Sequence, residues 1–355
     1  MPGLAPVLLP SNQFDHFYLG GDRIKALRGG PGGPRRPEDW IASATTRAGQ
    51  APQGLSRLPD GWLLRDRVTA DPVAWLGEEH VARYGSENVE LLVKLIDAGQ
   101  RLPVHVHPTR AWARQHLGLA HGKTEAWVIV DADPGAVLGL GLRTPLSHDE
   151  LLGLVRSHDS AALVDAVHTL PARPGDGVFV PAGTPHFIGE GILVAEVQEP
   201  TDLSILLEWE GFAVNGDADG HLGVGFPTAV TAIDTRVWSR ADVDACVRTL
   251  PSDAAGLVPA LVADAAPYFR ADWLSAGEGV SVPAGFAVLV VLEGDGRLDT
   301  AEGDLDLHRG DVALVPYSAG RWELTGNVRG VLCRPPAPEA PPAPRCAVQR
   351  RWLGG

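Results

Sequence analysis

The chain has 355 residues, of which 45% are hydrophobic and 21% are charged, which is typical of a globular protein long enough for two domains. Its formal net charge of −14 at pH 7 argues against nucleic acid or an anionic membrane as a partner, because both attract basic surfaces. The N-terminus lacks the basic segment and apolar run of a signal peptide, and no apolar run reaches the roughly 18 residues of a membrane span. We therefore expect a cytoplasmic protein.

The first part of the chain is predicted to contain a loop, a short strand and one helix. Glycine and proline are dense in residues 29–37, which predicts a surface loop, and Glu38–Ser43 follows as a short strand. A helix is predicted over Asp71–Tyr84, with Asp71 as N-cap and Pro72 at the first helical position.

The middle of the chain predicts short strands separated by turns, which favours a barrel or sandwich. Ser147–Glu150 has a capping-box pattern and predicts a helix that continues to about His168. Turns and short helices, one beginning at Ser239, are predicted for residues 215–265. The strands of this first barrel are predicted at Glu90–Asp97, around His105, and at Ala126–Asp131, Ala136–Leu142, Gly177–Val180, Ile192–Gln198 and Leu203–Trp209.

An internal repeat predicts a second barrel from about residue 266. Gly310–Pro316 echoes Gly175–Pro181, because both run from Gly-Asp through an apolar strand to proline. The second copy lacks the histidines of the first barrel, and Arg321 stands where the first copy has His186. We expect an N-terminal metal-binding domain over residues 1–214, a connecting helical segment over 215–265, a metal-free barrel over 266–334 and a Pro-rich tail over 335–355.

Three histidines and a glutamate in the first barrel predict a metal site. His105 and His107 are one residue apart on a strand, so their side chains share a face. Glu125 and His186 follow on later strands, His186 at the end of a Pro-x-Gly-x-x-His turn. Such a set binds first-row divalent metals, and zinc, manganese, iron, cobalt and nickel all remain open. Cys246, Cys333 and Cys346 have no CxxC spacing, so they predict neither a thiolate zinc site nor a disulfide framework.

These motifs resemble the cupin superfamily, in which His-x-His, Glu and Pro-x-Gly-x-x-His lie on consecutive barrel strands. A narrower resemblance, to the type I phosphomannose isomerase family, covers roughly residues 15–334. It is carried by motif runs at Glu38–Ser43, Leu92–Ala98, Val104–Pro108, Gly122–Trp127, Gly175–His186 and Gly191–Gln198. The resemblance implies a mainly β fold of two cupin (jelly-roll β-barrel) domains with a few helices, a bicupin. It also implies zinc and the interconversion of mannose 6-phosphate and fructose 6-phosphate.

By position, the resemblance implies that His107, Glu125 and His186 are metal ligands. His105 stands where the family usually has a ligating glutamine. Lys123 falls on a family lysine near the metal, and Glu196 on a pocket glutamate.

Two other positions depart from the family pattern. Pro103 stands in place of a serine that contacts phosphate, and Leu206 in place of an arginine. Glu208 shares the predicted face of Leu206, so the pocket loses a cation and gains a possible carboxylate. A phosphate dianion should then bind less favourably in the pocket.

The first hypothesis is therefore a metal-dependent aldose–ketose isomerase that acts on a sugar phosphate or a related, unphosphorylated sugar through an enediolate. Glu196 or Lys123 is the expected base, with Glu208 as a further candidate. Two alternatives remain open: another metal-dependent cupin enzyme such as an Fe(II) or Mn(II) dioxygenase, and a sugar-binding cupin that has lost catalysis. The sequence gives no oligomeric state.

Overall fold

The computed structural model describes residues 3–337 together with 339 and 340. The strands of this part are β1 (Val7–Leu8), β2 (Glu38–Ile41), β3 (Leu92–Ala98), β4 (His105–Val106), β5 (Glu125–Ala132), β6 (Val137–Leu142), β7 (Val167–Pro171), β8 (Gly177–Val180), β9 (His186–Ile188), β10 (Ile192–Gln198), β11 (Ile205–Leu206), β12 (Val247–Arg248), β13 (Gly256–Pro259), β14 (Arg270–Ser275), β15 (Val280–Val282), β16 (Ala287–Glu293), β17 (Gly296–Thr300), β18 (Gly303–Leu307), β19 (Val312–Val315), β20 (Trp322–Gly326) and β21 (Arg329–Arg334). The helices are α1 (Arg23–Arg28), α2 (Leu64–Ala70), α3 (Pro72–Leu76), α4 (Glu78–Tyr84), α5 (Arg110–Leu117), α6 (His148–Arg156), α7 (Ser160–Asp165), α8 (Gly216–Asp219), α9 (Phe226–Ala229) and α10 (Arg240–Asp244).

The described strands form two pairs of antiparallel sheets, so the mainly β prediction is confirmed. One pair has the orders β12-β8-β5-β10-β3-β2 and β11-β4-β9-β6-β7, and the other has β1-β19-β16-β21-β14-β13 and β15-β20-β17-β18. The first pair carries the predicted metal residues, and the second is built almost entirely from residues after 255. No helix in the described ranges is long and apolar enough to cross a membrane.

Strand β16 explains how the two pairs of sheets share a core. Val288 and Val290 pack into a large apolar cluster that also holds Ile129 and Val194 of the first pair. Leu289 and Val291 face the other way, into a separate cluster within the second pair. A strand buried on both faces has a continuous apolar run instead of an alternating one, and this is the pattern of Val288–Leu292.

Two predicted helices differ from the sequence pattern: one ends earlier and the other is divided. The capping box at Ser147 and the helix start at Ser239 are confirmed, and Ser239 also forms a capping box. The helix that begins at Ser147 does not continue to His168, because that residue lies in β7. The predicted helix over Asp71–Tyr84 divides into α3 and α4 at Gly77, which has φ 87°. A Cβ on Gly77 would lie 2.7 Å from the Tyr317 ring, so this close contact between distant parts of the chain requires a glycine.

Strand boundaries also differ from the predictions around β4. The strand predicted at Leu203–Trp209 is confirmed only as β11, because its partner β4 is two residues long between Pro103 and Pro108, and proline cannot donate to a ladder. Residues 215–265 contain short helices as predicted, but also β12 and β13. The first described strand, β1, pairs with β19 in the second pair of sheets. The predicted Pro-rich tail lies mostly outside the described residues, as does Cys346.

Candidate active site

The alternation of side chains on β4 places the histidines in the first pair of sheets. Val104 and Val106 are buried in an apolar cluster with side chains of α6 and α7. His105 and His107 therefore point to the opposite face. His105 lies directly opposite His186 in the β4–β9 pairing. The nitrogen atoms of His105, His107 and His186 that could bind a metal all lie within 4.8 Å of one another, and all three side chains are buried.

Each of the three imidazoles is oriented by a backbone carbonyl. The Nδ1 atoms of His105, His107 and His186 lie 2.8, 2.7 and 2.7 Å from the carbonyl oxygens of Pro103, Leu203 and Thr184. A carbonyl only accepts, so each Nδ1 carries the hydrogen and each Nε2 keeps its lone pair. Metal-binding histidines are commonly held in this way by a second hydrogen bond.

Glu125 and Lys123 complete the cluster from β5 and the turn before it. The Glu125 Oε2 atom lies 2.9 Å from His107 Nε2 and 2.9 Å from Lys123 Nζ, and its Oε1 lies 3.4 Å from His186 Nε2. Trp127 Nε1 donates to Glu125 Oε1 at 3.0 Å. The structure therefore brings together all four predicted ligands and the predicted lysine.

The protonation of this cluster suits a divalent metal. Burial and the Lys123 ammonium lower the pKa of His107 to about 3. Burial, together with the neighbouring histidines, also holds the pKa of His105 well below its usual range, and burial lowers the pKa of His186. Although burial alone would raise it, Lys123 and His107 hold the pKa of Glu125 well below its usual range. Three neutral imidazoles and one carboxylate form a donor set that fits the predicted metal.

Two glycines allow the turns to approach this cluster. Gly183 has φ 90° and donates its N–H to the His107 carbonyl at 2.7 Å, which ties the turn before His186 to the end of β4. A Cβ on Gly122 would lie 2.4 Å from the Pro108 carbonyl oxygen. Neither turn could take this position with another residue there.

A row of cross-strand neighbours carries the remaining charged groups. Trp40, Lys94, Glu196 and Trp127 are paired in register across β2, β3, β10 and β5, so they share a face. Lys94 Nζ lies 3.4 Å from Glu196 Oε1 and 3.4 Å from Glu38 Oε2. Burial and the nearby Glu125 carboxylate raise the pKa of Glu196 to about 7.

A cavity of about 880 Å³ opens beside this row and the histidines. Its lining includes Glu196, Lys123 and His105, and also Pro103 and Leu206, which the resemblance identified as departures. Such a volume is sufficient for a small organic ligand. A carboxylate with a pKa near neutral, a lysine and a histidine of the candidate metal cluster therefore border one cavity.

Glu208 is not among the residues that line this cavity. Its Oε1 accepts the Val104 N–H at 2.6 Å and its carboxylate pairs with Arg101 at 2.5 Å. The expectation that Glu208 adds a carboxylate beside Leu206 fails because β11 ends at Leu206 and the residues after it leave the predicted strand. Glu208 instead holds the backbone just before His105.

Several polar residues of the cavity wall were not predicted from the sequence. Lys94 stands between the apolar residues Val93 and Leu95 of a buried strand, and a charge at such a position requires a buried partner. This was the available signal. Its partner Glu38 and the neighbouring His16 are also buried. Arg47 lies on a loop with no regular pattern, and nothing in the sequence places it at the cavity.

Comparisons with known proteins agree with the resemblance. A family model described as the cupin domain of mannose-6-phosphate isomerase matches residues 274–335, which lie in the second pair of sheets. Mannose-6-phosphate isomerase ManA of Bacillus subtilis (strain 168) is 29% identical over 264 residues, which are 72% of this chain and 79% of that protein. Over most of its length the chain is similar to mannose-6-phosphate isomerases, which supports the resemblance to the type I phosphomannose isomerase family.

Solved structures of the family give the fold. The mannose 6-phosphate isomerase of Bacillus subtilis superposes with a TM-score of 0.70 at 21% identity, over 93% of this chain and 100% of that one. A mannose 6-phosphate isomerase bound with zinc and yttrium gives a TM-score of 0.71 at 17% identity, over 94% and 100% of the two chains. The cupin fold expected from the sequence is therefore confirmed.

Proposed function

We propose that the protein is a metal-dependent aldose–ketose isomerase that interconverts mannose 6-phosphate and fructose 6-phosphate, or acts on a closely related sugar. The observation that carries this proposal is the position of Glu196. It is a buried carboxylate with a pKa of about 7, and it lines the same cavity as His105 and Lys123. The relatives named above carry the isomerase name, which favours this function over a dioxygenase or a sugar-binding protein without catalysis.

His105, His107, Glu125 and His186 are the residues that would hold the metal. We propose zinc, since one related structure is described as bound with zinc; manganese, iron, cobalt and nickel suit the same donor set. When bound, the ion supplies Lewis acidity that polarises the carbonyl and the adjacent hydroxyl of the sugar. His105 offers an imidazole where the family usually has glutamine.

In this proposal Glu196 removes the proton from C2 of the open-chain aldose and returns it to C1. Its raised pKa leaves a substantial fraction of the carboxylate ionised at neutral pH, as a general base requires. The Lys94 ammonium, 3.4 Å away, orients the carboxylate. Lys123 donates a hydrogen bond to the sugar oxygen on which negative charge develops in the enediolate.

Glu208 has a positioning role in this proposal instead of the catalytic role considered from the sequence. It binds the Val104 N–H, one residue before the first metal ligand. Gln198 is on the same face as Glu196, but its amide donates to the carbonyls of Glu199 and Thr201. Lys123 pairs with Glu125, and Glu208 lies outside the cavity lining, so we assign the base to Glu196.

We further propose that the two pairs of sheets are two cupin barrels, one within residues 1–214 and one within 266–334, connected by 215–265. Pairing of β1 with β19 and of β12 with β8 would then join the two domains. Only the first would bind metal, because the second has no counterpart of His105, His107 or His186. A cytoplasmic location remains a prediction.

The test is turnover by protein of known metal content. Zinc-loaded protein should convert mannose 6-phosphate to fructose 6-phosphate, lose activity on chelation and regain it with zinc. His107→Ala should lose both metal and activity, whereas His148→Ala, which alters a histidine of α6 outside the cluster, should keep both. Fully zinc-loaded protein that turns over neither hexose phosphates nor free hexoses would overturn the proposal.

A further inference from the structure

The charges on the cavity wall are not equally available to a ligand. Three cations line the cavity: Arg47, Lys94 and Lys123. Lys94 lies between the carboxylates of Glu38 and Glu196, and Lys123 pairs with Glu125 at 2.9 Å. Within the described ranges, no carboxylate lies within 4.0 Å of the Arg47 guanidinium. Arg47 is therefore the lining cation whose charge is not already neutralised by an adjacent carboxylate.

The guanidinium of Arg47 is held in place without being neutralised. Its Nη1 donates to the Asp15 carbonyl at 2.7 Å and to Gln53 Oε1 at 3.2 Å. Its Cζ lies 5.7 Å from the centroid of the Phe14 ring. These neutral partners leave Nε and Nη2 as donors and reduce the entropy lost when a ligand binds.

The neighbouring residue on this wall also indicates a polar ligand. His16 stacks on Phe14 with ring centroids 4.7 Å apart and lines the cavity. Its Nδ1 lies 3.3 Å from Glu38 Oε1. Because that carboxylate only accepts, Nδ1 carries the hydrogen, and Nε2 is an acceptor. Nε2 is buried and has no partner within the described residues, so this wall offers a free acceptor beside the free donors of Arg47.

Apart from these cations, the cavity lining provides few side chains that favour an anion. Leu102, Pro103, Leu203 and Leu206 line the cavity without a side-chain donor, and the neutral donors of the lining include Gln50, Ser204 and Asn215. Asp202 and Asp219 also line the cavity and would repel an anion. Asp202 accepts the Ala48 N–H at 3.0 Å, beside Arg47, but Arg47 is still the lining cation without a carboxylate within 4.0 Å in the described part of the chain. A phosphate group is therefore expected against Arg47.

We propose that Arg47 binds the phosphate of the sugar and so makes the enzyme prefer phosphorylated substrates. This rests on the proposed function, since it takes the cavity as the sugar site. Arg47 would form charge-assisted hydrogen bonds with the phosphate oxygens. His16 Nε2 would accept from a nearby sugar hydroxyl.

The test is equilibrium binding to the zinc-loaded full chain, so that it does not depend on turnover. The probes are 1,5-anhydromannitol 6-phosphate and 1,5-anhydromannitol, which cannot open to an aldehyde. Wild-type protein should bind the phosphorylated probe more tightly by about ten- to a hundred-fold, the range expected for hydrogen bonds to a charged group. Arg47→Gln should lose that preference without weaker binding of the unphosphorylated probe, and Arg47→Lys should keep part of it. Arg36→Gln, which removes an arginine outside the cavity lining that pairs with Asp15, should bind like wild type.

The inference would be overturned by a wild-type protein with no preference for the phosphorylated probe, or by an Arg47→Gln variant that keeps the full preference. Failure of the proposed function appears separately, as zinc-loaded wild-type protein without turnover. An Arg47→Gln variant that binds both probes equally weakly would assign Arg47 to shaping the cavity and would also contradict the inference.

Discussion

Replacing Glu196 with glutamine should stabilise the metal-free protein above neutral pH while it removes catalysis. The Glu196 carboxylate is buried, and its pKa is raised from an ordinary 4.5 to about 7. A group whose pKa is raised on folding favours the folded state while it is protonated, and this contribution is lost as pH rises from 4.5 through 7. The shift corresponds to roughly 3 kcal/mol.

Urea unfolding of metal-free protein at pH 5 and pH 8 measures this contribution. Between these values the free energy of unfolding of wild-type protein should fall relative to that of Glu196→Gln by up to about 3 kcal/mol. The loss of one carboxylate partner of Lys94 changes the unfolding free energy of the variant by a nearly constant amount at both pH values. The difference between the two pH values therefore isolates the titration of Glu196. The control is Glu190→Gln, an exposed glutamate whose replacement should leave the pH dependence unchanged.

Kinetics on zinc-loaded protein give the other half of this prediction. The kcat of Glu196→Gln should fall by about 10²- to 10⁴-fold with metal retained. The kcat/KM of wild-type protein should fall with unit slope below about pH 7, or below a lower pH if the bound cation lowers the pKa of Glu196. Parallel pH dependence of stability in wild type and variant, together with full activity in the variant, would refute the assignment of Glu196 as the base.

Three further changes test other parts of the account. Glu208→Gln should keep activity within about tenfold, because glutamine still accepts the Val104 N–H. Glu208→Leu leaves that amide unpaired, at a cost of about 1–3 kcal/mol in unfolding free energy. Near-complete loss of turnover in a folded Glu208→Gln protein would restore Glu208 as a base candidate. Gly177→Ala should lower the midpoint of thermal unfolding, because its Cβ would lie 1.9 Å from the Ala260 carbonyl oxygen. The control Gly153→Ala in α6, whose Cβ would have no atom within 4 Å, should be neutral or stabilising by up to about 1 kcal/mol. Equal unfolding midpoints for the two variants would contradict this contrast. His105→Gln should keep more metal by mass spectrometry than His105→Ala, since an amide oxygen can still bind a cation, and equal metal content would argue against His105 as a ligand.

Local patterns predicted much of the fold because each depends on near neighbours in the chain. The capping boxes at Ser147 and Ser239 and the N-cap at Asp71 involve residues within three positions of one another. The break at Gly77 could not be predicted in this way, because it depends on contact with Tyr317. Pairing of β1 with β19 likewise joins residues about three hundred positions apart.

The candidate metal ligands could be predicted from local sequence patterns, whereas the residues of the cavity wall could not. His105 and His107 share a face by strand alternation, and His186 follows a turn with a recognisable motif. Lys94, Glu38 and His16 come together only through the β2–β3 pairing and the packing of the N-terminal segment. Glu208 was misplaced because its predicted strand is longer than the β4 strand that it pairs with.

Proton exchange tests the central claim most directly. Zinc-loaded protein is incubated with mannose 6-phosphate in heavy water, and deuterium at C2 of the aldose and C1 of the ketose is followed by NMR. The account predicts incorporation that requires zinc and disappears in Glu196→Gln and in metal-free protein. Zinc-loaded protein that binds the sugar phosphate but forms no fructose 6-phosphate and exchanges no proton would contradict it.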